Sequence, residues 1–294
     1  MQDSVQAITQ LLVNTLVPGA LFGLAAASFT LVHRVTKVLH LAHGGVVMVG
    51  AYGYLWAYRA GWGVGGAAAF ALGVATVAAL LVAVLVYEPL RSREKLSTIG
   101  NLIASFAALL VIEAFLLMAF GSRTRSAPAL LGDHRYDIAG ASITAHQLTI
   151  ITVAIVGVTA LAVFLARTRL GTSMRAVADR EEAAAVVGID PRRVRMLTHA
   201  IAGLLAGATG ILLAGELAFE PRLSVSVAIS AFTRSIIGGI GSIPGALAGS
   251  FLTDLAMNLW TWVGPTAFRE VAAFVLVILV LLFRPWGLFG RKPT

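Results

Sequence analysis

About twenty consecutive apolar residues suffice to carry a helix across the hydrocarbon core of a bilayer, and this chain supplies such runs repeatedly. They lie near residues 9–32, 40–59, 64–87, 99–120, 147–166, 197–217, 244–263 and 268–283. Backbone polar groups in lipid must be satisfied within the chain, so apolar runs of this length leave the helix as the available structure. The sequence predicts an all-α integral membrane protein, a polytopic transmembrane helix bundle of about eight full spans plus one broken or re-entrant helix. All of 1–294 reads as a single transmembrane domain. Composition agrees: 58% of residues are hydrophobic and 12% charged, where a globular domain carries about a quarter charged residues. Thirty glycines suit helices that approach closely in lipid.

Absences narrow the chemistry. With no cysteine, disulfides, thiolate metal sites and thiol nucleophiles are excluded. The formal charge of +8 comes from Arg and Lys in short loops between apolar runs. That is the pattern of a positive cytoplasmic side, and it argues for lipid rather than nucleic acid as the partner. No phosphate-cradling GxxxxGK[ST], no HExxH and no nucleophile–base pairing is present. The opening MQDS lacks a basic stretch and the first run is long enough to span, so a cleaved leader is not expected.

If the runs alternate, the loops at Arg34/Lys37, Arg91/Arg93/Lys95 and 167–195 share the cytoplasmic side, and the N-terminus is outside. The basic ending RPWGLFGRKPT belongs inside, which requires an odd number of crossings. Residues 224–245 supply the missing one. Their helical part, near 225–237, is too short to cross alone, and the glycine-rich turn that follows marks a broken helix. Irregular backbone at that depth is tolerated inside protein or against a water-filled cavity. Gly238, Gly239, Gly241, Ser242, Pro244 and Gly245 are therefore candidates for the translocation path or for a hinge.

Polar residues inside the runs are the other path candidates: Asn14, Asn101, Glu113, Glu216, Asp254 and Asn258. Ionisable groups at membrane depth face the bundle interior or a cavity. Glu113 is the most central acid, and Asp254 and Asn258 share one helix face. Each reads at least as well as a structural hydrogen-bond partner as it does as a solute contact. A secondary transporter, with Glu113 or Asp254 carrying a proton or ion, is the alternative these acids keep open. His40 and His43 are three apart, but no third ligand stands near them, so no metal is expected. Gly19 with Gly23, and Gly203 with Gly207, fit small-residue helix packing.

The one long polar stretch, 167–195, carries seven Arg and four carboxylates. It reads as two short helices at the membrane surface, presenting charge to something in the water. Ser173 is placed to cap the first helix, Gly188 to stop the second, and Asp190–Pro191 to start the next. Arg175, Asp179 and Glu182 fall on one stripe at helical spacing.

LAHGGVVMVGAY, RAVADREEAAAVVGIDPRRV, AFTRSIIGGIGSIPGALAG and LLFRPWGLFGR together resemble the membrane-spanning permease subunits of ABC importers for branched-chain amino acids, the LivH type. The similarity covers nearly the whole chain. It implies a multi-pass protein of the cytoplasmic (inner) membrane of a prokaryote with no cofactor of its own. It also implies a second homologous permease, two cytoplasmic ATPase subunits that hydrolyse ATP, and an extracytoplasmic solute-binding protein. Glu182, Ala183, Ala184 and Gly188 match the E-A-A-x-x-x-G part of the segment that importer permeases insert into the ATPase, making 167–196 a cytoplasmic coupling segment. Two departures stand out. The apolar-Pro ending of that signature is replaced by MLTHAI (196–201), and Gly45 stands where the family commonly has Glu. Related permeases carry urea or short amides, so the resemblance alone leaves the solute open.

Overall fold

The computed structural model describes residues 2–91, 98–132, 134–138 and 140–290. Arg93 and Lys95, expected in a cytoplasmic loop, lie outside the described residues. Helices dominate: α1 Gln2–Thr36, α2 Ala42–Arg59, α3 Gly63–Val82, α4 Glu88–Arg91, α5 Thr98–Phe120, α6 Ala145–Arg167, α7 Arg169–Asp179, α8 Glu181–Val186, α9 Pro191–Glu216, α10 Leu223–Gly238, α11 Ile243–Val263 and α12 Arg269–Phe283. A π-helical turn, Ala83–Tyr87, joins α3 to α4.

The bundle is built around α1, whose span is almost wholly buried by its neighbours. Large apolar side chains face outward on α5 and α12, while the interior is closed by small residues. Ala67, Ala71, Ala75 and Ala79 make a buried stripe on α3. Gly203 and Gly207 of α9 lie directly against it, and Gly210 lies against the α2 backbone at Val47. This inversion, large outside and small inside, follows from lipid being as apolar as leucine: helices gain by packing closely rather than by hiding apolar area.

By length and composition six helices can cross a membrane, or seven if the bent pair α10–α11 counts as one. The expected eight full spans are not all of this kind. The run near 40–59 becomes α2, 18 residues interrupted by glycines and a histidine. It is surrounded by protein along most of its length, so it does not need a continuous apolar surface. The run at 244–263 becomes α11, joined to α10 across a bend of 108°. The loop between α5 and α6 departs from an all-α reading as well. It holds a two-stranded hairpin, β1 Arg135–Ile138 with β2 Ala141–Thr144, whose turn contains Gly140 at φ +83°. Thr144 then caps α6 in a reciprocal pair with Gln147.

The elbow between α10 and α11 shows why that segment is glycine-rich. Any side chain at Gly238 would run into the Gly245 carbonyl, and one at Gly249 would meet the α10 backbone. Gly239 and Gly241 turn the chain at φ +101° and +102°, where a Cβ is strained. Breaking a helix leaves its last carbonyls without partners. The C-terminal tail supplies them: Leu288 N–H donates to Ile237 O at 3.0 Å and Phe289 N–H to Gly238 O at 3.1 Å.

In the 167–195 segment, Gly188 ends α8 at φ +86°, and Asp190 accepts from the Arg192 and Arg193 N–H groups with Pro191 in the first turn, as the spacing predicts. Two details differ. Thr168, not Ser173, caps α7 by accepting from Gly171 N–H, whereas Ser173 donates to Arg169 O inside the helix. Arg180 adopts an extended conformation, φ −149°, ψ 107°. That kink separates Arg175 and Asp179 from Glu182, so the three form no continuous stripe.

Candidate functional site

A cavity of about 590 Å³ opens where α1, α10 and α11 meet the end of α9 and the starts of α6 and α12. Its apolar wall includes Val13, Val17 and Leu21 of α1 and Leu223 and Val227 of α10. Its polar groups include Asn14, Gln147, Glu216, Ser226, Ser230, Arg234, Asp254, Asn258, Arg269 and Glu270. A smaller space of about 150 Å³ continues along the same face of α10, sharing Ser226, Ser230, Arg234, Met257 and Glu270 and adding Thr233.

Arg234 and Asp254 form the cavity's most buried charged contact. The guanidinium donates to both carboxylate oxygens at 3.0–3.2 Å, and the two side chains are 5% and 1% exposed. Arg234 also lies 4.5 Å over the Phe22 ring, an additional attraction for a desolvated cation. A pair this deep neutralises itself but remains expensive to hold out of water.

Asn258 has a structural task that the sequence left open. Pro18 inside α1 lacks the N–H that would bond the carbonyl four residues earlier. That carbonyl, Asn14 O, instead accepts from Asn258 Nδ2 at 2.9 Å. Asp254 and Asn258 therefore share a face, as their spacing predicts, and both reach the cavity. Glu216 lines it too, accepting from Gln147 Nε2 at 2.8 Å. Glu113 is elsewhere: it takes a hydrogen bond from Ser224 at the start of α10 and is not among the lining residues. Nor are Asn101 or the turn residues Gly238, Gly239, Gly241, Ser242, Pro244 and Gly245. The turn is an elbow packed against the C-terminal tail. Gly45, where a Glu is common in the resembling family, packs on Ile112.

At the other end of the bundle, Arg195 of α9 is 8% exposed and joins three elements. It grips Glu88 of α4 through two hydrogen bonds, 2.7 and 2.9 Å, and Glu181 of α8 through one of 2.6 Å. Arg91 adds a second contact to Glu181 at 3.0 Å. Arg175 closes the end of α6 by donating to Ala166 O. Ala184 is buried, while Glu182, Ala183, Val186 and Val187 point outward, the two valines 87% and 74% exposed. Sequence reasoning missed Arg234 and Arg195. Each is an arginine in or beside an apolar run, a signal that was present, but its carboxylate partner lies on another helix.

Beside this network His40, His199 and Tyr87 pack ring to ring, and His43 packs on His40. His40 Nδ1 meets Tyr87 O–H at 2.7 Å. Among the described residues no group of three or more His, Cys, Asp or Glu is arranged to hold a metal ion.

Comparison with known proteins agrees with this architecture. The family described as "Branched-chain amino acid transport system / permease component" matches residues 11–283. The chain is 31% identical over 296 residues to the high-affinity branched-chain amino acid transport system permease protein BraD of Pseudomonas aeruginosa, covering 96% of this chain and 95% of that one. It is 30% identical over 298 residues to the corresponding protein LivH of Escherichia coli K12, with the same coverage. Among solved structures, PsaBC from Streptococcus pneumoniae in complex with Fab aligns with a TM-score of 0.50 at 10% identity, over 91% of this chain and 90% of that one, a likeness of fold. These relatives favour a transport component over the ion-coupled alternative. With a bundle of membrane helices, a polar cavity against a broken helix and full-length relatives of one kind, the chain belongs to the permease components of branched-chain amino acid transport systems.

Proposed function

We propose that this chain forms part of the membrane path of an ATP-driven importer for branched-chain amino acids in the cytoplasmic membrane of a prokaryote. A second homologous permease, two ATPase subunits and an extracytoplasmic solute-binding protein complete it, and ATP is hydrolysed in the partners. The N-terminus is outside and the C-terminus inside, as the basic loops favour. Helix α2 also crosses. Helix α11 runs antiparallel to α1, with Asn258 beside Asn14 and Leu247 against Gly23. Helix α10 brings Ser235 within 2.6 Å of Thr30. The pair α10–α11 is then a hairpin that enters and leaves from outside, with its elbow toward the cytoplasm.

The observation that carries this reading is the α7–α8 segment. Its back is fixed to the bundle by Met174, Val177 and Arg195, and its front offers Glu182, Ala183, Val186 and Val187 to the water. Exposed valines at a helix tip suit insertion into a groove on a partner. Changing Val186→Asp and Val187→Asp together leaves the bundle untouched. The ATPase subunits are then expected to stop co-purifying with the permease, and uptake to fall to background. Normal co-purification with undiminished leucine uptake would mean that the ATPases dock elsewhere.

A further inference from the structure

We infer that Tyr87 is a positioning residue for transport, passing movement of the ATPase-facing corner to the start of α2 through the π-helical turn that holds it. This inference rests on the importer reading above.

The turn has a cause in the sequence. Pro89 has no N–H to return to the Leu85 carbonyl, and in a continuous α-helix its ring would collide with that carbonyl. Local π adjustments relieve such positions in membrane helices. Ala83–Tyr87 makes one, with the Glu88 N–H donating to Ala83 O, five residues back. A π-turn holds one residue more than an α-turn, and single turns of this kind recur at functional sites. Before it, α3 is held to α9 where Ala75 and Ala79 lie against Gly203 and Gly207. Just after it, Glu88 is gripped by Arg195 through two hydrogen bonds. Leu85 points outward from the turn, 67% exposed, while Ala83 and Tyr87 point inward.

Tyr87 and Glu88 are chain neighbours that address different parts of the bundle. One turn beyond Arg195 on α9, the His199 ring stacks on Tyr87 at 5.5 Å. The Tyr87 hydroxyl lies 2.7 Å from His40 Nδ1 and 2.9 Å from Ser105 Oγ. Ser105 Oγ in turn accepts the Ala42 N–H at 3.2 Å. Ala42 opens α2 behind Leu41, a residue that offers no side-chain cap, and the first N–H groups of a helix need partners from elsewhere. Tyr87 therefore holds both the serine that serves the start of α2 and the histidine that leads into it. Val38, Ala42, Val82, Tyr87 and Ala108 form a small apolar cluster apart from the main core, a unit able to shift by itself. A displacement of Arg195 that carries Glu88 with it reaches this unit through Tyr87.

The chain contains no cysteine, so Leu41→Cys reports on the start of α2 without background. In the complete importer reconstituted in proteoliposomes, it is labelled with a small neutral maleimide, nucleotide-free and with ATP trapped by vanadate. The two labelling rates are expected to differ several-fold. Adding Tyr87→Phe, which keeps the ring and removes only the hydroxyl, should make them equal while the ATPases still bind and hydrolyse ATP. Leucine moved per ATP should fall several-fold in the same variant. A purely structural role would change both labelling rates alike and preserve their ratio. Deleting Leu85 removes the extra residue of the turn and leaves both flanks in register, so it should also equalise the rates without preventing assembly. A labelling difference that survives Tyr87→Phe, or one absent from the unaltered background, would overturn the assignment. If the complex takes up no leucine under ATP, the importer reading itself fails and this assignment with it.

Discussion

Asp254→Ala is expected to lower the amount of assembled permease sharply, because it strands Arg234 in the bundle interior. Arg234 is 5% exposed, and its donors are aimed at Asp254. Removing one member of a buried ion pair costs about 3–5 kcal/mol, most of it the penalty of the charge left behind. Replacing both partners, Arg234→Met with Asp254→Leu, removes that charge and should restore assembly. Detergent-solubilised yield and thermal unfolding would measure both effects. Transport by the double variant should remain low, because both residues line the larger polar cavity and Arg234 lines its continuation as well. Full recovery of uptake would make the pair a packing feature alone.

Arg195→Ala is expected to separate ATP hydrolysis from transport. The side chain ties α8 to α4 and α9 in one contact set, so a push on the α7–α8 corner reaches the bundle through it. Its loss should cost less than that of Asp254, roughly 1.5–3 kcal/mol for hydrogen bonds to charged groups. Glu88 keeps Arg192 at 3.9 Å and Glu181 keeps Arg91. The variant should therefore assemble with its ATPases and hydrolyse ATP, yet move little solute for each ATP consumed. Arg195→Lys should behave similarly, since an ammonium cannot reproduce the planar fork that grips two carboxylates. Unchanged coupling in both variants would assign the network to stability only.

Much of this architecture was legible in the residues because lipid imposes a simple rule on apolar runs. The elbow was legible too: glycines and Pro244 crowd one short stretch, and the structure bends there. The capping signals at Gly188 and Asp190 were local and read true. Long-range pairings were not legible. Nothing near Asn258 in sequence announces that it satisfies a carbonyl freed by Pro18. Glu88 and Arg195 stand 107 positions apart before the fold joins them. The α7–α8 stripe failed for a local reason, since one extended residue at Arg180 resets the helical phase. The count of spans is the less legible part: six helices, or seven with the bent pair, are long and apolar enough to cross by themselves, and α2 is not among them because burial among helices relaxes the demand for a continuous apolar surface.

Reconstitution of the complete importer in proteoliposomes tests the central claim most directly. Leucine uptake is measured with the solute-binding protein outside and ATP enclosed with the ATPases, with and without an ionophore that collapses ion gradients. Uptake that requires ATP, continues in the presence of the ionophore and is blocked by excess isoleucine but not urea is the predicted result. Uptake that persists without ATP and disappears with the ionophore would contradict it, and would return Glu113 and Asp254 to the role of ion carriers in a secondary transporter.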